Sequence, residues 1–288
     1  MIYLLITIAL SVSIISLFKL FKTLKVNNLQ AITTNYIVAV FFSILMYGKD
    51  FSINTAINQS GIYFAMLTGL FFIVVFNVFA MSSQKTGVGI TAVSSKMSVM
   101  IPVIAGIMFL PNEKMNVFIG IGIVLALISF WLIFKTKDGE LIDKRYFILP
   151  ILLFFGNGIN DTLMKFSQVY FIKNSKDIHL FLAVVFATAF IIGILINVIV
   201  LIKNKVVIDK RSLAMGILLG ILNFGSTFFF FKTLQVFNAT VLFPIFNVGI
   251  VVSAALVGLI AFREKFSLIN WFGILSAVAS ILFIALSS

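Results

Sequence analysis

Cysteine is absent from all 288 residues, which excludes disulfides, thiolate ligands and thiol catalysis. Histidine occurs once, at His179. A single imidazole cannot build a histidine metal cluster or serve a buried serine as base, so zinc chemistry and Ser-His-Asp hydrolysis have no residues to run on. No G-x-x-x-x-G-K-[ST] run exists, so no phosphate-binding loop for ATP is encoded. Acids are scarce: nine Asp and Glu stand against 21 Lys and Arg, a net charge of +12. In a soluble protein that excess points to nucleic acid. Here the bases fall in short loops between apolar stretches, where they act as topology signals, and no nucleic-acid partner is expected. Neither an enzyme nor a cofactor site is expected.

Apolar residues dominate, at 61% of the chain with only 10% charged, and 34 are Phe. They fall in runs of about twenty residues, the length that crosses roughly 30 Å of hydrocarbon. Continuous runs, without alternation, mean helices and not a β-barrel. The fold class expected is an all-α membrane protein of ten transmembrane helices, over 2–20, 31–47, 61–83, 89–109, 115–134, 147–170, 179–202, 212–234, 240–262 and 267–286. The first run lacks a basic leader and a small-residue cleavage site, so it reads as a retained helix.

The longest polar connection, 135–145, lies midway and invites a search for duplication. A shift of 151 residues aligns the halves without gaps from Leu67 onward. It carries Gly69 onto Gly220, Phe79 onto Phe230, Gln84 onto Gln235, Gly122 onto Gly273, Ala126 onto Ala277 and Ser129 onto Ser280. Glu113-Lys114 falls on Glu264-Lys265, at the same short turn between two long apolar spans. The expected organisation is two five-helix repeats, 1–137 and 138–288. Because five is odd, the second enters the membrane from the opposite side, an inverted repeat around a central cavity. The loops with Lys22, Lys135, Lys137, Lys144, Arg145, Lys203, Lys210 and Arg211 outweigh those with Lys49, Lys114, Lys173 and Lys176. By the positive-inside rule this places both termini outside.

Asp161 is the one acid inside an expected span. A charge there costs a few kcal/mol and is tolerated facing protein or a watery cavity. Lys165 follows at i+4, and Asn157, Met164 and Gln168 share the face. Asp161 reads as a substrate partner or proton-coupling carboxylate, or else, with Lys165, as a structural ion pair. Lys96 lies inside the fourth span, and its repeat partner is Asn247 in the ninth. They read as facing cavity walls, against snorkelling for Lys96 and an inter-helix hydrogen bond for Asn247. Asn77, Asn223, Thr227, Asn157 and Asn160 are mid-span polar groups that hold a solute or glue helices together. Gln84 and Gln235 read as structural or interfacial. Glu113 and Glu264 read as helix-start caps, with a gate as the sharper alternative. Gly216 and Gly220 form a close-approach step. The run 228–231 reads as core and lipid contact, with one ring available to line a cavity.

Two five-helix halves, each with a Glu-containing turn (LPNEKMN and AFREKFS) and a glycine early in the helix that follows, resemble the EamA-type carriers of the drug/metabolite transporter superfamily. The resemblance implies a basket of helices around a midplane cavity lined by helices one, three, four, six, eight and nine. It implies both termini inside, and carriage of amino acids, other metabolites or drugs, often outward. Such carriers often have prolines at matching places in helices four and nine. Here Pro102 meets Ser253 and Pro244 meets Val93. The expected function is thus a secondary transporter of a small polar or amphipathic metabolite in the cytoplasmic membrane. It works by alternating access, with export the expected direction, H⁺ the candidate coupling ion and Asp161 the coupling group. Its partners are the solute and membrane lipid, with a homodimer left open. The alternative is a non-transporting membrane scaffold or receptor.

Overall fold

The computed structural model describes residues 2–110, 115–133, 145–173, 175–204, 207–234 and 239–286. Regular structure among them is helical throughout: α1 (Ile2–Thr23), α2 (Asn28–Tyr47), α3 (Ile53–Ile57), α4 (Ile62–Lys85), α5 (Val88–Met97), α6 (Met100–Phe109), α7 (Val117–Ile133), α8 (Ile148–Tyr170), α9 (Ser175–Asn204), α10 (Lys210–Leu234), α11 (Ala239–Ile260) and α12 (Leu268–Ala285). Among the described residues, seven stretches are long and apolar enough to cross a membrane. They lie in α1, α2, α4, α9, α10 and α12, and in Val88–Phe109. Large apolar side chains such as Leu5, Phe41, Trp131, Ile196 and Phe272 stand exposed along these and neighbouring helices. Such faces need hydrocarbon beside them, and the protein is a multi-pass membrane protein. Helix α8 has 23 residues, enough to span, but its polar groups dilute it and it is not one of the seven.

Local chemistry sets the helix ends. The Asn27 side chain accepts the Gln30 N–H to start α2, and Gly48, at φ +95°, ends it. Ser267 and Asn270 form a capping box on α12. The Asn270 amide also donates to the Ile133 carbonyl at 3.0 Å, closing the end of α7.

The fourth stretch, expected as one helix, is two. Pro102 has no N–H, so the Ser98 carbonyl takes the Ile101 N–H instead, at 2.9 Å. Val99 N–H likewise reaches Lys96 at 3.3 Å, and the Ser98 hydroxyl donates to the Ser95 carbonyl at 2.6 Å. These i−3 bonds are a tight turn inserted between α5 and α6. Helix α11, the counterpart under the 151-residue shift, is continuous from Ala239 to Ile260.

The chain gathers into two compact units, Met1–Leu20 with Val78–Gly158 and Gly225–Ser288, and Phe21–Asn77 with Ile159–Phe224. Each draws on both sequence halves. In the first unit α7 packs on α12 and α5 on α11. The α7–α12 seam is reciprocal. Ser129 Oγ donates to the Gly273 carbonyl at 2.8 Å, and Ser280 Oγ to the Gly122 carbonyl at 2.7 Å. The 151-residue shift carries one bond onto the other. Ser276 Oγ reaches the Leu125 carbonyl at 2.9 Å, and that pair maps onto itself. A Cβ on Gly122 would stand 2.5 Å from Ile284, and one on Gly273 would stand 3.1 Å from Ile133, the residue that matches Ile284. In the second unit α2 packs on α9. Gly216 and Gly220 abut α2, where added Cβ atoms would meet the Ala31 carbonyl at 2.5 Å and Val38 at 2.6 Å. Gly69, which matches Gly220, abuts Val185 and Thr188 of α9 in the same manner.

Candidate functional site

Helix α8 has two exposed faces of opposite character. Ile148, Leu152, Phe155 and Ile159 form one stripe and are all exposed. Asn157, Asp161, Met164 and Gln168 repeat the same spacing nine positions on, which at about 100° per residue places them about 180° around the helix. Asp161 and Gln168 are exposed; Asn157, Met164 and Lys165 are half-buried. The apolar stripe suits lipid, so Asp161 lies on the side of α8 turned away from the lipid-type face.

The first unit builds a polar cluster at the broken span. Asn157 Nδ2 donates to Ser95 Oγ at 3.1 Å, joining α8 to the last turn of α5. Lys96, half-buried, holds its ammonium 5.1 Å from the centre of the Phe246 ring on α11. Phe246 in turn packs at 4.9 Å on Phe230, one of the 228–231 run. Asn247, the counterpart of Lys96, is half-buried beside Phe246. Ser94 is fully buried, and its hydroxyl has no hydrogen-bond partner among the described residues. The structure therefore gathers Lys96, Asn157 and the α11 segment bearing Asn247 around the α5–α6 turn.

The other expected residues have separate settings. Asn223 Nδ2 donates to Asn35 Oδ1 at 3.1 Å, joining α10 to α2. Asn77 Nδ2 returns to the Ile73 carbonyl of its own helix at 2.8 Å. Asn160 is buried, and its Oδ1 has no partner among the described residues. Thr227 is half-buried on α10, in the first unit. Sequence reasoning passed over Asn35, Tyr36 and Asn197. Asn197 Nδ2 donates to Thr33 Oγ1 at 2.9 Å, and Tyr36 is fully buried against Phe76 and Phe186, its hydroxyl without a partner among the described residues. Each is a polar residue within an apolar run, the same signal that singled out Asn77 and Asn223.

Glu264 is a cap, but on a distant helix. Its carboxylate accepts Val88 N–H at 2.7 Å and Gly89 N–H at 3.3 Å, at the start of α5, and Lys19 of α1 pairs with it at 3.4 Å. Arg263, at φ +52°, turns the chain to aim it, and Gly87, at φ +106°, leaves it room. The start of α12 belongs to Ser267 instead. Gln84 Nε2 donates to the Phe18 carbonyl at 3.0 Å, a structural tie from α4 to α1. Glu113, Lys114 and Gln235 lie outside the described residues.

Helix α1, which opens the other expected repeat, is uncharged from Ile2 to Phe18, whereas α8 carries Asp161 and Lys165. No protein-family model matches the chain. It is similar to an uncharacterized protein of Haemophilus influenzae, 29% identical over 280 residues that cover 94% of this chain and 93% of that protein.

Proposed function

We propose that the protein is a secondary transporter of the EamA type, moving a small polar or amphipathic metabolite across the cytoplasmic membrane, with export the expected direction. Its fold is read as ten spans in two inverted five-helix repeats, 1–137 and 138–288. The reciprocal bonds of Ser129 and Ser280 and the matching settings of Gly69 and Gly220 support that reading. The observation that carries the function is the ionisable face of α8, opposite its lipid-type face, with Asn157 on that face bonded to Ser95 beside a broken helix. Carriers often hold cargo beside irregular turns within a span, and here Ser98 and Val99 form a tightened turn, with helical φ and ψ and i−3 bonds, next to Asn157 and Lys96. A scaffold has little use for a charge that costs a few kcal/mol to insert.

Asp161, Lys165, Lys96, Asn157, Asn160, Asn77, Asn223, Thr227 and Asn247 are the proposed cargo contacts. The cargo binds, the bundle changes the side to which these groups open, and the cargo leaves. With no ATP-binding loop in the sequence, the work comes from the cargo's own gradient or from H⁺ through Asp161. Uptake of a ¹⁴C-labelled amino-acid mixture into proteoliposomes, with and without an imposed pH gradient, tests this. Wild type accumulates label faster with the gradient, and Asp161→Asn loses that increment. Equal uptake by wild type and empty liposomes across metabolite mixtures would favour a scaffold or receptor; an unaltered increment in Asp161→Asn would remove the coupling role.

A further inference from the structure

We infer that the second unit binds an anionic phospholipid at the end where the chain enters α2 and α10, with Lys22, Lys25, Lys210 and Arg211 for its phosphodiester and exposed apolar neighbours for its acyl chains. This stands apart from the transport reading and holds with or without it. The antiparallel α2–α9 pair has two ends of different electrostatic character. At one end Lys49, Lys173 and Lys176 stand with Asp50 and Asp177. There the Lys176 ammonium meets the Asp50 carboxylate at 2.8 Å, and Asp177 accepts the Lys173 N–H at 2.8 Å. At the other end, among the described residues, Lys22, Lys25, Lys203, Lys210 and Arg211 stand with Asp209 alone, and all five bases are exposed. The Asp209 carboxylate is turned to the start of α10. It accepts the Ser212 hydroxyl at 2.7 Å, the Ser212 N–H at 3.1 Å and the Arg211 N–H at 3.2 Å. Bases in such excess at the edge of the spans attract anionic headgroups.

A topology signal needs bases in a loop and no particular arrangement of them. Here two loops are knit into one surface. The Asn27 N–H donates to Ser212 Oγ at 2.8 Å, Gln30 Nε2 donates to the Val207 carbonyl at 3.2 Å, and Gln30 Oε1 accepts the Asp209 N–H at 3.0 Å. Arg211 Nη1 donates to the Leu24 carbonyl at 3.2 Å, which sets the guanidinium beside Lys25. A guanidinium has further N–H groups, in a fork that fits phosphate oxygens. Lys25 itself sits at φ +53°, where the Val26 N–H returns to the Phe21 carbonyl at 2.9 Å. Glycine is the usual residue in such a helix-ending turn, and this chain places a base there. The apolar neighbours separate lipid from a free anion. Leu24, Ile208 and Leu213 are exposed, and Ile202 and Val207 are 76% and 80% exposed. Bases interleaved with bare aliphatic groups at span ends suit the boundary between headgroups and acyl chains. A soluble phosphate would use the bases and leave the aliphatic groups in water.

The test uses the purified full chain in detergent, melted with phosphatidylglycerol, cardiolipin, phosphatidylcholine, or inorganic phosphate with glycerol 3-phosphate. A ligand of the folded state raises the apparent melting temperature. The expected result is a rise with phosphatidylglycerol or cardiolipin and none with phosphatidylcholine or the soluble phosphates. The apparent affinity falls about tenfold in Lys25→Gln/Lys210→Gln and is unchanged in Lys49→Gln/Lys173→Gln, which removes the same charge from the opposite end. Equal rises with phosphatidylcholine, a rise with the soluble phosphates alone, no rise with either anionic lipid, or equal losses in the two double variants would each overturn it. If Lys25→Gln/Lys210→Gln does not fold, lysine acylation of wild type decides, read by mass spectrometry in nanodiscs of phosphatidylglycerol and of phosphatidylcholine. Lys25 and Lys210 should be protected by phosphatidylglycerol relative to Lys49 and Lys173, and equal protection of all four would contradict the site. Neither readout depends on flux, so a protein that moves no solute still passes or fails this test.

Discussion

The α7–α12 pair and the α1–α8 pair are each the corresponding helices of the two expected repeats, and they treat that correspondence in opposite ways. Across α7 and α12 the matching residues do matching work. Gly122 and Gly273 let the backbones close, Ser129 and Ser280 bond across, and Ala126 and Ala277 are both fully buried. Between α1 and α8 the character diverges: α1 is uncharged from Ile2 to Phe18, while α8 carries Asp161 and Lys165. The α5–α6 stretch and α11 diverge in the same sense: Lys96 against Asn247, and a tight turn before Pro102 against a continuous α11. Packing places the same demand on both copies and keeps them alike. On the proposed reading, a site for an unsymmetrical solute places no such demand, and the corresponding helices part where polar groups sit.

The comparison can be broken by forcing the divergent copies to match. Asp161→Leu gives α8 the acid-free character of α1. Proteoliposome flux should fall to that of empty liposomes while the protein still elutes as a single folded species, the largest effect expected. Gly122→Val attacks the matched seam instead. Its side chain meets Ile284 and the Ser280 carbonyl, so it should lower stability by about 1–3 kcal/mol in a denaturant titration. Gly120→Val is the control, since the nearest atom there is Met115 Cε at 3.7 Å, and it should be neutral or stabilising. Pro102→Ser copies Ser253 and returns an N–H to the Ser98 carbonyl. It should stabilise the folded protein by about 1 kcal/mol while slowing flux, because α5 and α6 then join. The smallest effect sharpens the symmetry. Ser129→Ala and Ser280→Ala should each cost about 0.6 kcal/mol, and by equal amounts. Unequal losses would show that the two bonds are not equivalent.

The membrane class was legible because hydropathy is additive along the chain. Helix bounds followed to within a few residues: 31–47 was expected where α2 runs Asn28–Tyr47, and the Asn27 cap explains the earlier start. Tertiary chemistry was less legible. Glu264 has the character of a cap, yet its target lies 176 residues away, and no local pattern names it. The true start signal of α12, Ser267 with Asn270 three residues on, was in plain view. Lys96 was visible as a mid-span charge. Its seat over Phe246 depends on α5 packing against α11, which neither helix specifies alone. Asn35 and Asn197 show the converse, polar residues in apolar runs whose partners were equally available to inspection.

The central claim is that the Asp161 face of α8 opens to water and the Leu152 face to lipid. Because the chain has no native cysteine, single cysteines can be labelled without background. Met164→Cys and Phe155→Cys, reconstituted in liposomes and exposed to a membrane-impermeant thiol reagent from outside and then from inside, test it directly. The account predicts that Cys at 164 reacts from both sides while Cys at 155 reacts from neither. Equal labelling of the two, or a 164 variant inert from both sides, would contradict it.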